Sequence, residues 1–264
     1  MALIAVFDSG VGGLSVYQNA VSKCSEHDFI FVSDTEAFPY GVKSDEELLS
    51  RSKDVVRRLD EHYAPDILIV ACNTASTIVL PSLRDEFCFH VIGVVPAIKP
   101  AAALSQTGRI AVLATPATVA RPYTRELIDT FAKHCDVRLF GSTELVMLAE
   151  DKLYGRPLDL DKIATILEPV IIDSDFDVLV LACTHFPLLK DEIKSFFEAN
   201  GRKITLVDSG EAIANRLRSI CDASSLSSSG NVKRVAVTTS AIVEPTFVDQ
   251  LDQLGFAELE YLCV

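Results

Sequence analysis

The sequence predicts an α/β protein made of two pseudo-symmetric three-layer α/β domains with mainly parallel sheets. Three observations carry that expectation. Short apolar runs of strand length alternate with amphipathic helical stretches along the whole chain, the pattern of parallel strands covered by helices on both faces. Two of the runs are near copies: Pro65-Asp-Ile-Leu-Ile-Val-Ala-Cys72, followed by Asn73-Thr74, and Phe176-Asp-Val-Leu-Val-Leu-Ala-Cys183, followed by Thr184-His185. The copying also extends outward in the same order. Leu3-Ile-Ala-Val-Phe-Asp8 resembles Arg109-Ile-Ala-Val-Leu-Ala114, and Val91–Ala97 corresponds to Ile204–Gly210.

Strands are expected near 3–7, 29–33, 66–71, 91–95, 109–114, 136–140, 177–182 and 204–207, with a last one or two near 232–238 and 258–262. Helical periodicity fits 14–24, 45–62, 75–87, 118–133, 143–153, 159–172, 187–199 and 210–221. No Pro- or Gly-rich linker separates the halves. The crossing is expected near Pro96–Pro100 and the return near Asp208–Gly210, so that residues 1–97 and 209–264 make a discontinuous first domain and 98–208 the second. The segment after Ser224–Gly230 then rejoins the first. Ligands of open α/β sheets bind beyond the carboxyl ends of the strands. The active site is therefore expected in the cleft between the domains, with one thiol from each.

Composition narrows the function classes. The net charge of −13 over 264 residues argues against nucleic acid and anionic membrane surfaces as partners. No apolar stretch reaches membrane-spanning length, and the opening Met-Ala-Leu-Ile-Ala-Val-Phe-Asp8 lacks the features of a secretion signal, so a cytoplasmic location is expected. Seven cysteines, an odd number without framework spacing, fit a reducing compartment. Cys183-x-His185 alone cannot supply a zinc ligand set, and no metal is expected.

Asp8-Ser-Gly-Val-Gly-Gly13 sits at a strand-to-helix turn where backbone amides can approach an anion. It is an incomplete dinucleotide fingerprint, because Ser15 stands where the third Gly belongs, and it lacks the P-loop ending. Taken alone, it reads as a tight turn with Asp8 as a helix cap. Cys72 and Cys183 differ from Cys24, Cys88, Cys135, Cys221 and Cys263, because each of the pair ends a strand and precedes polar residues. A thiol at a helix N-terminus or beside an imidazole ionises more readily. His185 reads either as a core histidine or, with the carboxylates Asp8 and Glu150, as part of a proton-handling group. Phe38-Pro-Tyr-Gly41 reads as a turn whose Tyr40 hydroxyl and Gly41 amide could line a pocket. No Arg or Lys belongs to these motifs, so a bound carboxylate would rest on amide and hydroxyl groups. Nor does any Lys sit in a recognisable pyridoxal-phosphate setting, and no cofactor is expected.

Asp8–Gly13, Pro39-Tyr-Gly41, Ala71-Cys-Asn-Thr-Ala-Ser76, Val95-Pro-Ala-Ile-Lys-Pro100, Ala182-Cys-Thr-His-Phe-Pro-Leu-Leu189 and Val207-Asp-Ser209 together resemble the glutamate racemases of the aspartate/glutamate racemase superfamily. The resemblance spans nearly the whole chain in order. It implies cofactor-independent interconversion of L- and D-glutamate for peptidoglycan synthesis. It also implies that Cys72 takes the α-proton of D-glutamate and Cys183 that of L-glutamate, with Asp8, Glu150 and His185 assisting. The implied substrate contacts are Asp8, Ser9, Tyr40, Gly41, Asn73, Thr74, Thr184 and His185, with Thr115 and Thr118 as further additions. A homodimer and a small-molecule allosteric effector are compatible with it. Aspartate racemase is the alternative within the enzyme class. A Cys-His hydrolase would leave the second thiol unexplained, and a small-anion or nucleotide-binding protein would make both thiols structural.

Overall fold

The computed structural model describes residues 2–173, 175–223 and 232–264. The strands are β1 Leu3–Asp8, β2 Asp28–Ser33, β3 Ile67–Val70, β4 His90–Gly93, β5 Arg109–Ala114, β6 Asp136–Gly141, β7 Val178–Leu181, β8 Thr205–Val207, β9 Arg234–Thr238 and β10 Glu258–Tyr261. The α-helices are α1 Leu14–Lys23, α2 Asp45–Tyr63, α3 Asn73–Glu86, α4 Ile98–Leu104, α5 Pro116–Ala120, α6 Pro122–Phe131, α7 Glu144–Leu153, α8 Leu160–Asp173, α9 Lys190–Ala199, α10 Gly210–Ala223 and α11 Pro245–Gln253. The chain divides into two compact units, Met1–Val94 with Gly210–Val264 and Val95–Ser209. The expected segment Ser224–Gly230 lies outside the described residues.

In the first unit the six strands run in the order β10-β9-β2-β1-β3-β4, all parallel. Alternation splits the side chains between its faces. Phe7, Ile30, Val32, Leu68 and Val70 join Leu48, Val55 and Leu59 of α2 and Val79 and Leu83 of α3 in one apolar cluster. On the other side Tyr17 of α1 packs against Phe29, Phe31 and Phe256. A capping box between Ser44 and Glu47 starts α2, and its C-terminal cap Ala64 takes a left-handed conformation at φ 47°.

The second unit repeats the frame in smaller form. Its parallel sheet has the order β6-β5-β7-β8, the same pattern as β2-β1-β3-β4. Phe7 pairs with Val70 in one sheet and Leu113 with Leu181 in the other, so each cysteine follows two residues after the last paired position of its strand. One expected correspondence is shifted. His90 pairs with Ile67 and Thr205 with Val178, which makes Val91 equivalent to Leu206 rather than Ile204. A shift of two leaves the inward faces unchanged, which is why apolar patterning alone does not detect it.

The expected helix at 118–133 is two helices. Pro122 holds Arg121 in extended conformation, at φ −70° and ψ 136°, and this residue separates α5 from α6. The helix expected from 187 begins instead as a 3-10 turn, Phe186–Leu189, before α9. The sequence reading passes over α4 and α11. The first is a short Ala-rich stretch with Pro100 in its opening turn, and the second is a nine-residue helix opening on Pro245.

Candidate active site

In the first unit β1 ends on Asp8, which is fully buried. Its Oδ1 accepts the Gly10 amide at 3.0 Å, closing the turn that turns the chain toward α1. Asp8 does not cap that helix: the cap position is Gly13, and no side chain bonds there. Glycine is required at 13, since a Cβ would lie 2.5 Å from the Asp8 Cβ. Ser9 follows, and its hydroxyl is the partner of the Cys72 thiol at 3.5 Å. Cys72 is the N-cap residue of α3, and its carbonyl accepts the Ser76 amide at 2.9 Å. The thiol therefore sits where the helix's unpaired amides make a partial positive charge. Asn73 and Thr74, the first residues of the helix, are buried. The Asn73 Oδ1 has no hydrogen-bond partner among the described residues. An unpaired buried acceptor is costly, so this atom is suited to receive a donor from a ligand.

Tyr40 and Gly41 lie in a short 3-10 turn, with Tyr40 buried and Gly41 half-buried. The Tyr40 hydroxyl donates to Asp34 Oδ2 at 2.6 Å. A buried phenol beside a carboxylate binds inward because no water competes for its proton.

In the second unit β7 leads through Ala182 to Cys183, Thr184 and His185, all buried. The Cys183 Sγ lies 3.8 Å from His185 Nδ1, and His185 Nε2 lies 2.6 Å from Glu150 Oε1. Burial disfavours the imidazolium, but the hydrogen bonds and charges of Cys183 and Glu150 outweigh it and hold the His185 pKa well above its ordinary value. Glu150 projects from α7. That helix is tied to the turn carrying His185 by Lys152, whose Nζ reaches the Leu188 carbonyl at 2.8 Å and Glu192 at 2.7 Å. Thr115, also buried, caps α5: its Oγ1 accepts the Thr118 amide at 3.2 Å and donates to the Thr118 hydroxyl at 3.0 Å.

The residues singled out in the sequence thus gather into two groups. Asp8, Ser9, Tyr40, Gly41, Cys72, Asn73 and Thr74 belong to the first unit, and Thr115, Thr118, Glu150, Cys183, Thr184 and His185 to the second. Both groups lie at or near the carboxyl ends of parallel strands. Each supplies one buried thiol with a polar neighbour, an arrangement able to give or take a proton at a carbon acid. Among the described residues no cluster of His, Cys, Asp or Glu is suited to a metal ion.

The model of the family described as Asp/Glu/Hydantoin racemase matches residues 4–217. The chain belongs to that family. It is an amino-acid racemase, an isomerase. A glutamate racemase from Vibrio vulnificus strain YJ016 is 45% identical over 257 residues, covering 97% of this chain and 95% of that protein. The crystal structure of Escherichia coli glutamate racemase in complex with L-glutamate and the activator UDP-MurNAc-ala matches with a TM-score of 0.92 at 42% identity, covering 100% of this chain and 98% of that one. A glutamate racemase isoform from Bacillus anthracis matches at TM-score 0.82 and 28% identity, over 100% and 97% of the two chains.

The sequence reading missed Asp34, which accepts the Tyr40 hydroxyl, and Arg51 and Thr239, which donate to the Asp34 carboxylate. A signal for the first was present: Asp34 stands at the carboxyl end of β2, where open α/β sheets keep their functional side chains.

Proposed function

We propose that this racemase interconverts L- and D-glutamate with two thiols as its acid and base. The observation that carries the reading is the pair of equivalent buried cysteines, each two residues past the end of the equivalent strand, with a hydroxyl beside one and an imidazole beside the other. In the reaction, one cysteine as thiolate removes the α-proton and the other, as thiol, delivers its own proton to the opposite face. Atoms balance: one proton leaves carbon, one arrives, and the thiols exchange protonation states. On this reading Cys72 serves D-glutamate and Cys183 L-glutamate. An amino-acid α-proton is weakly acidic, so the base must be held close and the developing charge met by fixed dipoles in a dry site.

Each neighbour has a role in this scheme. The His185 imidazolium, held by Glu150, stabilises the Cys183 thiolate. The amides opening α3 and the Ser9 hydroxyl do the same for Cys72. Asn73 Oδ1 accepts a hydrogen bond from the substrate ammonium, and Asp8, Thr74, Thr115, Thr118, Thr184 and the Tyr40–Gly41 turn supply further substrate contacts. No pyridoxal phosphate, nucleotide or metal takes part. D-glutamate made this way in the cytoplasm supplies peptidoglycan and so cell shape, and a small-molecule effector, of the kind carried by the Escherichia coli relative, regulates it. The test is a circular-dichroism assay on L-glutamate and L-aspartate after dialysis against chelator. Racemisation of glutamate is expected. Activity on aspartate alone, or activity restored only by metal or pyridoxal phosphate, contradicts the reading.

A further inference from the structure

Asp34 directly follows β2, is fully buried and belongs to neither cysteine motif. Its Oδ2 accepts the Tyr40 hydroxyl at 2.6 Å, and its Oδ1 the Thr239 hydroxyl at 2.7 Å. Arg51 of α2 binds the same carboxylate through Nη2 at 2.7 Å and Nε at 3.0 Å. The Asp34 amide donates to the Asp8 carbonyl at 2.9 Å. A buried carboxylate persists only where such partners compensate it. Here they come from α2, from the residue following β9 and from the turn holding Tyr40.

The two units differ at this point. The backbone bond from Asp34 to Asp8 has a counterpart in the second unit, where the Ser142 amide donates to the Ala114 carbonyl at 2.9 Å. The side chain there is a serine whose hydroxyl accepts the Leu145 amide of α7. Ser142 thus stands directly after β6 where Asp34 stands directly after β2. In the first unit the Tyr40–Val42 turn packs on α3, and Tyr40 shares an apolar cluster with Cys72. Burial first, and then the charges of Asp34 and Cys72, hold the Tyr40 phenol well above its ordinary pKa. Tyr40 therefore stays protonated, with its hydrogen committed to Asp34. It cannot trade protons during turnover, but it can fix a wall.

We infer that Asp34, locked by Arg51 and Thr239, is a positioning residue for the Cys72 half of the reaction, acting through Tyr40 on one side and the Asp8 turn on the other. This rests on the two-thiol reading above. Because Asp34, Tyr40, Arg51 and Thr239 all belong to the first unit and a serine stands at the equivalent station of the second, loss of the device slows abstraction by Cys72 more than abstraction by Cys183. A glutamate with a leaving group on its β-carbon reports each half separately: after α-proton removal the electron pair expels that group, and the event cannot return.

The test compares Arg51→Ala, Arg51→Lys and Thr239→Val in the full chain, with thermal unfolding run on each variant. For Arg51→Ala, elimination from the D-analogue is expected to fall on the order of tenfold, the scale of a small misplacement of a reacting group, against about twofold or less for the L-analogue. Arg51→Lys restores most of it, and Thr239→Val shows the same bias at smaller size. If Arg51→Ala does not fold, Thr239→Val decides. Equal loss for both enantiomers, or no loss, overturns the positioning role. Cys72→Ser run alongside separates the failures. Survival of D-elimination in that variant brings down the two-thiol reading and this inference with it. Its loss there, with Arg51→Ala unaffected, brings down the inference alone.

Discussion

Cys72 and Cys183 occupy the same station on two copies of one frame, yet their surroundings differ in kind. Cys72 caps the 14-residue helix α3 and meets the Ser9 hydroxyl. Cys183 leads into a four-residue 3-10 turn and meets His185, which Glu150 holds from behind. One thiol is served by helix amides and a neutral hydroxyl, the other by a buried ion pair. The backbone repeat fixes where a thiol stands, and side chains that differ between the two copies fix what supports it. A reaction run from both directions needs matched stations. It does not need matched chemistry at each.

Replacing either thiol should have the largest effect on this pair. Cys72→Ser or Cys183→Ser keeps the shape but removes an acid/base group, and racemisation should fall by about a hundred- to ten-thousand-fold, measured by circular dichroism. Since the two enantiomers are equal in energy, kcat/KM must fall equally in both directions, so only an irreversible probe such as the β-elimination reveals which half was lost.

Breaking the ion pair on the Cys183 side comes next. Glu150→Ala leaves an unpaired buried imidazolium and should destabilise the protein by about 3–5 kcal/mol in denaturant titration. Glu150→Gln is milder and exposes the pH dependence. The His185 pKa is raised by folding. Its stabilising contribution is therefore complete below the unfolded value of about 6.5 and is lost as pH climbs through the raised folded value. The gap in Tm between wild type and Glu150→Gln should narrow as pH rises, and a gap that widens with pH would contradict the assignment.

On the Cys72 side the corresponding change is smaller. Ser9→Ala removes one neutral hydrogen bond, and a loss of about fivefold or less is expected in kcat/KM. The smallest effect belongs to the remaining cysteines. Cys135→Ser and Cys263→Ser, half-buried and exposed, should leave racemisation unchanged.

Much of this was legible in the sequence because burial on both faces writes a parallel strand as an uninterrupted apolar run. Ile67–Val70 and Val178–Leu181 are strands of that kind, and the two cysteines stand just past them. What escaped had no such local mark. Arg121 breaks a helix only because Pro122 follows it. Asp34 reads as an ordinary loop aspartate until Arg51, 17 residues on, and Thr239, 205 residues on, are folded against it. The acceptor of the Tyr40 hydroxyl is likewise set by tertiary structure. Pairwise polar contacts over such separations leave no period to detect.

The claim that two separate thiols face one carbon is tested most directly by racemisation in heavy water, started from each enantiomer in turn and stopped early. Each thiol exchanges its proton with solvent but delivers it to one face only. Deuterium should therefore appear in the product enantiomer from the first turnovers while recovered substrate stays protiated, whichever enantiomer is supplied. Equal early labelling of substrate and product would mean that one base serves both faces, and would contradict the account.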